Sequence, residues 1–157
     1  MCTTLEERVG ERLRESGGTV ATAESCSGGL ISHRLTNVPG SSAYFVGGAV
    51  TYSNKAKMRI LGVDKQTLKA HGAVSEQVVK QMAGGAQERF DVDYAIACTG
   101  IAGPTGGTKE RPVGLVYIAV ATPKVTRVEE CHFEGDRESV KRLTADRALT
   151  MLLELIE

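Results

Sequence analysis

The sequence contains no tryptophan, few other aromatic residues and no surplus of either charge. Its 19 basic residues balance 19 acidic residues, whereas a protein that binds nucleic acid through phosphate groups normally has a basic surplus. No apolar run approaches the roughly 20 residues that cross a membrane, and the amino terminus has no apolar signal-peptide region. We therefore expect a cytoplasmic protein that binds neither nucleic acid nor membrane.

Cysteine and histidine are also scarce and widely spaced. The four cysteines (Cys2, Cys26, Cys98 and Cys131) include no Cys-x-x-Cys pair, and the 3 histidines have no metal-ligand spacing. A chain of 157 residues can bury a hydrophobic core without disulfide bridges. We expect reduced cysteines, no structural metal and no cofactor.

Glycine, in contrast, is abundant, with 18 residues, and apolar residues make up 41% of the chain. Apolar periodicity, helix caps and glycine breaks predict helices that alternate with strands. The predicted elements are a helix capped by Thr4, a strand at 19–23, a helix through Leu35, a strand at 44–52, a helix capped by Asn54, a helical segment at 65–71, a helix capped by Ser75, strands at 94–98, 113–121 and 125–133, and a helix capped by Asp136. This order predicts a single-domain layered α/β/α sandwich over residues 1–157, with helices on both faces of a largely parallel or mixed sheet.

The composition of some segments predicts how deeply they are buried or how closely they pack. The apolar run at 113–121 is typical of a strand covered on both faces, whereas the more charged segment 125–133 is expected nearer an edge. Gly47–Gly48 inside a strand predicts a bulge or a close backbone contact. Gly84–Gly85 inside a helix costs up to about 1 kcal/mol per residue relative to alanine, a cost that close packing would explain.

Two glycine-containing loops, Ser25–Gly29 and Thr99–Gly107, follow predicted strands. In layered α/β folds, ligands bind beyond the carboxyl ends of the strands, so we expect both loops at the same edge of the sheet. The backbone N–H groups of the first loop would attract a phosphate or a developing oxyanion. An ordinary strand-to-helix turn with Ser27 as the helix cap explains the same residues equally well.

The second loop matches neither common nucleotide-binding signature. A P-loop ends in Gly-Lys-Ser/Thr, whereas Gly107 is followed by Thr108 and Lys109, and no Gly-x-Gly-x-x-Gly opens a helix. A flexible surface loop is one interpretation. Pro104 among the glycines favours a stiffer loop whose backbone is shaped to hold a ligand.

Lys57 lies at a predicted strand-to-helix junction with Tyr52 and Lys55. Most lysines are solvated, and a lysine that acts as a base must lose its proton although its unperturbed pKa is about 10.4. Burial lowers that pKa, whereas a nearby phosphate would raise it. If Lys57 is a base, a substrate phosphate should bind elsewhere, and Arg137 beside Asp136 is a candidate, although an ordinary surface ion pair is an equal alternative.

Seven segments together resemble the motif blocks of the CinA C-terminal domain family, the nicotinamide-nucleotide amidohydrolases. They are AESCSGG (23–29), PGSSAY (39–44), VTYSNKAK (50–57), HGAVS (71–75), TGIAGP (99–104), KERPVG (109–114) and GDR (135–137). The resemblance runs from about Leu5 to the carboxyl terminus. The chain is similar to the stand-alone form of the family. It implies hydrolysis of the carboxamide of nicotinamide mononucleotide to nicotinic acid mononucleotide and ammonia, without a metal.

The resemblance also implies a serine–lysine mechanism. Ser25 would attack the amide carbon, and Lys57 would take its proton and return it to the departing ammonia. Tyr52 would hydrogen-bond Lys57 or the substrate. Ser41 and Ser42, in another motif block, compete with Ser25 for the role of nucleophile.

Further matching positions are expected to bind the substrate. The backbone N–H groups of Ser27 and Gly28 would stabilise the oxyanion. Contacts to the rest of the nucleotide are expected from Gly29, Ser42, Thr99, Gly100 and Arg137. Two residues depart from the family pattern: Ser27 stands where threonine is common, and Lys55 stands where an acidic residue is common, which alters the charge near Lys57.

Other functions stay open. A non-catalytic nucleotide-binding or regulatory module of the same fold is the main alternative, and a cysteine hydrolase that uses Cys26 is another. Because a net charge near zero promotes contact between copies, we also expect a homodimer or a larger homo-oligomer.

Overall fold

The computed structural model describes residues 2–156, and its central feature is a five-stranded sheet. The strands are β1 (Val20–Glu24), β2 (Phe45–Val50), β3 (Tyr94–Gly100), β4 (Leu115–Ala121) and β5 (Thr126–His132), and their spatial order is β2-β1-β3-β4-β5. Strands β2, β1 and β3 are parallel, whereas β4 and β5 are antiparallel to their neighbours. The α/β prediction is confirmed, with a mixed sheet and with β5 at an edge.

Six α-helices of the described residues surround the sheet. They are α1 (Leu5–Ser16), α2 (Leu30–Thr36), α3 (Asn54–Leu61), α4 (Lys65–His71), α5 (Glu76–Phe90) and α6 (Arg137–Leu155). The predicted caps Thr4, Ser75 and Asp136 are confirmed, because each side chain accepts a backbone N–H of the first turn of its helix. No helix within residues 2–156 combines the length and the hydropathy needed to cross a membrane.

One predicted cap, Asn54, is wrong, and so is the alternative interpretation in which Ser27 caps a helix. Ser53, not Asn54, precedes α3 with extended backbone, and its hydroxyl accepts the N–H of Ala56 at 3.1 Å. The residue at the cap of α2 is Gly29, which has no side chain to offer, and Ser27 lies outside the cap position. The N–H groups of α2 are instead bound by a residue of β1, as described below.

Side chains of each strand point alternately to two hydrophobic cores, because successive residues of a strand face opposite sides of the sheet. One core packs against α1, α2 and α6, and the other packs against α3, α4 and α5. The face towards α5 carries small residues, which let the helix lie close to the sheet: Ala21, Ala23, Ala95, Ala97 and Ala119.

The glycines of the pairs Gly84–Gly85 and Gly47–Gly48 differ in their contacts. A Cβ at Gly85 would lie 1.9 Å from the carbonyl oxygen of Leu61, so close packing between α5 and α3 requires glycine there. Nothing lies within 4 Å of the corresponding position at Gly84, and packing does not explain that residue. The register between β1 and β2 shifts near Gly47, so the predicted bulge is confirmed, whereas the close contact at Gly48 is with a side chain, because a Cβ there would lie 2.1 Å from Thr22 Oγ1.

The carboxyl ends of β1, β2 and β3 meet at one edge of the sheet, because these three strands are parallel. The segments that follow them, 25–29, 51–53 and 101–114, therefore lie at the same edge, as predicted for the two glycine-containing loops. Strand β3 is longer than predicted, so Thr99 and Gly100 belong to the strand and not to the loop. Ser42 precedes β2 and lies at the opposite edge of the sheet.

Candidate active site

Lys57, in the first half of α3, is a buried side chain with only 1% of its surface exposed. Its Nζ lies 3.1 Å from Ser25 Oγ, 2.6 Å from the carbonyl oxygen of Thr51 and 3.4 Å from that of Tyr52. A neutral amine has two protons and one lone pair, so it can donate to the two carbonyl oxygens and accept the Ser25 hydroxyl proton. The predicted meeting of Ser25 and Lys57 is present, in a geometry that suits a base and a nucleophile.

The electrostatic surroundings favour the neutral amine. No carboxylate of residues 2–156 forms an ion pair with Lys57. Burial lowers the pKa of the Lys57 amine below its ordinary value, and the nearby thiol groups of Cys98 and Cys26 raise it by a smaller amount. Lys57 therefore titrates closer to neutral pH than a solvated lysine does.

Glu24, the last residue of β1, organises the loop that carries Ser25. Its fully buried carboxylate accepts four hydrogen bonds: from the Ser27 hydroxyl at 2.6 Å, the Ile31 N–H at 2.9 Å, the Ser32 N–H at 3.0 Å and the Ser32 hydroxyl at 2.7 Å. Two of these donors are first-turn N–H groups of α2, which lack partners inside the helix. Glu24 thus caps α2 from the strand, a role that the sequence analysis missed although a charged residue ends an otherwise uncharged strand.

The loop after Glu24 corrects two predicted roles. The Gly28 N–H donates to the carbonyl oxygen of Ser25 at 3.0 Å, so it is not available for an oxyanion. The Ser27 hydroxyl binds Glu24 and lies 3.0 Å from Cys98 Sγ, and it therefore stabilises the loop instead of contacting a substrate. The backbone N–H of Ser27 has no acceptor among residues 2–156, but Ser27 does not line the cavity beside Ser25 and Lys57, so its predicted oxyanion role is not supported either.

A cavity of about 190 Å³ opens beside Ser25 and Lys57. Its lining brings together five predicted site residues and four others: Ser25, Tyr52, Lys57, Thr99 and Gly100 with Cys26, Ala73, Val74 and Ala102. The wall formed by Ala73 and Val74 was not predicted, although both residues belong to the HGAVS segment of the resemblance. The cavity is therefore the candidate active site.

Three predicted binding residues have contacts within the protein. The Tyr52 hydroxyl accepts a hydrogen bond from Arg137 at 2.9 Å, whereas the group of Tyr52 that contacts Lys57 is its backbone carbonyl. Arg137 also donates to the carbonyl oxygen of Gly103 at 2.7 Å. The Thr99 hydroxyl donates to the carbonyl oxygen of Ala73 at 3.0 Å, so it supports the cavity wall.

The remaining predicted residues lie outside this cavity. Ser27, Gly28 and Gly29 line a separate cavity of about 420 Å³ between the loop and α6. Ser42 lies at the opposite edge of the sheet, together with Ser41, so within one chain neither serine can replace Ser25. Because strand direction decides which edge a residue occupies, the motif blocks alone could not separate these serines.

Cys26 lines the cavity but is a poor nucleophile. A hydrogen bond with Cys98, together with burial, raises the pKa of the Cys26 thiol well above its ordinary value. Since the thiolate is the reactive form of cysteine, this shift disfavours attack by Cys26.

Comparison with known proteins identifies relatives along almost the whole chain. The sequence profile of the CinA C-terminal domain matches residues 2–156. The chain is 53% identical over 152 residues to a CinA-like protein of Syntrophobacter fumaroxidans and 51% identical over 149 residues to a CinA-like protein of Acidobacterium capsulatum. These matches cover 97% and 95% of this chain but 36% of each relative, so the chain spans about a third of their length.

Solved structures of similar length share the fold. The competence/damage inducible protein CihA of Agrobacterium tumefaciens is 41% identical with a TM-score of 0.92, and the match covers 100% of this chain and 99% of that chain. A CinA superfamily protein of Escherichia coli is 39% identical with a TM-score of 0.92, covering 97% of this chain and 90% of that chain.

Proposed function

We propose, since this chain belongs to the CinA C-terminal domain family, that it hydrolyses the carboxamide of nicotinamide mononucleotide to nicotinic acid mononucleotide and ammonia. One observation supports the proposal most strongly. The Lys57 amine, buried without a carboxylate partner, contacts the Ser25 hydroxyl at 3.1 Å inside a cavity. A serine attacks an amide only when a base removes its proton, and a neutral amine at this distance is such a base.

In the first half of the reaction, Ser25 Oγ attacks the amide carbon while its proton passes to Lys57 Nζ. The amide carbon becomes tetrahedral, and its oxygen becomes an oxyanion. The charged Lys57 then returns the proton to the amide nitrogen, the C–N bond breaks, and ammonia leaves an ester on Ser25.

In the second half, water attacks the ester carbon and gives its proton to Lys57. The C–O bond to Ser25 breaks, Lys57 returns the proton to Ser25 Oγ, and the product leaves as a carboxylic acid that loses its remaining proton to solvent. Both residues thus regain their starting states, and no external oxidant or reductant is needed.

The size and charge of the site orient the substrate. A cavity of about 190 Å³ is smaller than the roughly 300–1,000 Å³ of pockets that enclose a drug-sized ligand, so it suits the flat pyridine ring and its carboxamide. A phosphate close to Lys57 would raise the pKa of the amine and weaken the base. We therefore propose that the ribose phosphate extends towards Arg137, which is exposed and held beside the cavity by Tyr52.

The test is an assay of the purified protein with nicotinamide mononucleotide, following ammonia by a coupled assay and the product by mass spectrometry. We expect turnover by the wild type and a loss of at least about 10³-fold in Ser25→Ala. Ser42→Ala makes the same chemical change at the opposite edge of the sheet and should retain activity.

Two results would contradict the proposal. Binding of the nucleotide without any turnover by the wild type would favour the non-catalytic module. Full activity in Ser25→Ala would remove the serine from the mechanism. A loss in Ser42→Ala would require a second copy to bring that serine to the cavity, and sedimentation would then test the predicted homo-oligomer.

A further inference from the structure

The turn between α4 and α5 is held by side chains at every carbonyl from His71 to Val74. Arg111 donates from Nε to the carbonyl oxygen of Val74 at 2.9 Å and from Nη2 to that of His71. The carbonyl oxygen of Gly72 accepts from the Ser75 hydroxyl at 2.8 Å, and that of Ala73 accepts from Thr99. This turn supplies the Ala73 and Val74 wall of the candidate active site.

Arg111 reaches the turn from the connection between β3 and β4. Two hydrogen bonds between Thr108 and Arg111 hold this part of the connection. The Thr108 N–H donates to the carbonyl oxygen of Arg111 at 2.8 Å, and the Arg111 N–H donates to Thr108 Oγ1 at 3.0 Å. No carboxylate of residues 2–156 forms an ion pair with the guanidinium. Its hydrogen-bonding capacity is therefore directed at the turn.

The helices on both sides of the turn do not depend on Arg111. Helix α4 is capped by Asp64 and ends at Gly72, and α5 is capped by Ser75. The half-buried Ala73 and Val74, in contrast, lie between these caps. Loss of Arg111 should therefore loosen the cavity wall without unfolding either helix.

We propose that Arg111 is a positioning residue that sets the width of the amide-binding cavity by fixing Ala73 and Val74 beside the substrate ring. The inference rests on the proposed function, because the substrate ring belongs to it. A guanidinium can donate to two carbonyl oxygens in a fixed fork, whereas a lysine ammonium at the end of a flexible chain cannot reproduce that geometry.

The experiment compares Arg111→Lys and Arg111→Ala with Lys109→Ala, which removes the same charge from an exposed position of the same connection. Misplacement of a group that positions the substrate can lower catalytic efficiency by up to about 10²-fold. Because Arg111 holds the cavity wall and does not contact Lys57, we expect this loss as a rise in the KM for nicotinamide mononucleotide, about tenfold to a hundredfold in both Arg111 variants. The acid limb of the pH–rate profile should stay in place, because Arg111 does not contact Lys57. Millimolar guanidinium chloride should lower the KM of Arg111→Ala, and Lys109→Ala should behave as the wild type.

A wild-type KM in Arg111→Lys, or a matching rise in Lys109→Ala, would overturn the inference. So would a shift of the pH–rate profile, which would mean that Arg111 acts on the base. If the wild type has no turnover, the proposed function fails, but the positioning role is still measurable by hydrogen exchange. Amides of residues 72–75 should then exchange faster in Arg111→Ala than in Lys109→Ala, and equal rates would exclude the role.

Discussion

Glu24 and Lys57 are both buried side chains of charged types, but their surroundings are opposite. Glu24 is surrounded by four hydrogen-bond donors, two of them backbone N–H groups of α2. Among residues 2–156, Lys57 contacts two carbonyl oxygens and one hydroxyl, and no carboxylate. A buried polar group with a full set of hydrogen-bond partners costs little to bury, whereas a buried amine without a carboxylate partner shifts towards its neutral form. The hydrogen bonds around Glu24 therefore stabilise the loop 25–29, whereas the surroundings of Lys57 favour an amine that can act as a base.

The two regions lie on opposite sides of the same strand end. Side chains of Thr22 and Glu24 point to the α2 side, where both strand residues contact Ser32. Ser25, one residue later, contacts Lys57 of α3 on the other side. Because successive side chains along a strand point to opposite faces of the sheet, the Glu24 carboxyl group lies away from Lys57. A carboxylate close to Lys57 would favour the charged form of its amine.

The largest expected effect comes from Lys57→Met, which keeps an unbranched side chain, one atom shorter than that of lysine, and removes the amine. Activity should fall about 10²- to 10⁴-fold or more, the usual contribution of a general base. The melting temperature should change little, because the removal of a polar group that is costly to bury is offset by the loss of the donor to the Thr51 carbonyl oxygen. Calorimetry and the ammonia assay measure both quantities, and a variant that is active or much less stable would contradict the assignment.

For Glu24→Gln we expect a loss of stability, in contrast to Lys57→Met, which mainly affects activity. The amide retains one acceptor oxygen but directs its NH₂ group at N–H and O–H donors, so buried donors lose their acceptor. The free energy of unfolding should fall by roughly 1–3 kcal/mol, measured by urea denaturation. Glu138→Gln, an exposed residue of α6, is the matched control. Equal stability of the two variants would show that the four hydrogen bonds contribute little.

Part of this contrast could be predicted from the sequence. The resemblance paired Ser25 with Lys57, and burial of the lysine followed from the requirement that the base be neutral. The role of Glu24 could not be predicted from local patterns, because a helix cap normally lies beside its helix, whereas Glu24 lies six residues before α2. The same contact explains why Ser27 is not the cap.

Other parts of the fold depend on long-range packing. Helix caps and apolar periods predicted the elements, but not that β4 would be antiparallel to β3. The connection 101–114 contains no helix, whereas a crossover between parallel strands usually passes through one. The position of Ser42 likewise follows from the direction of β2, which a motif does not encode.

A smaller effect concerns pH, since the pKa of Lys57 is lowered in the folded protein. The value of kcat/KM should rise with pH through that pKa, as the amine loses its proton. Between the folded pKa and about 10.4, the unfolded chain binds the additional proton, so the stability of the wild type should increase with pH in that window. Lys57→Met should lack this contribution, and urea denaturation at several pH values compares the two. Parallel pH dependences would contradict the lowered pKa.

The smallest effect is expected at Cys98, which lies between the two regions. Its Sγ is 3.0 Å from the Ser27 hydroxyl, and its proximity raises the pKa of Lys57. Cys98→Ala leaves all four donors on Glu24, so the free energy of unfolding should fall only by about 1 kcal/mol, the cost of a small cavity. Because the variant removes an influence that favours the charged amine, the acid limb of the pH–rate profile should move to lower pH. A movement to higher pH would show that Cys98 acts on Lys57 through packing and not through its charge.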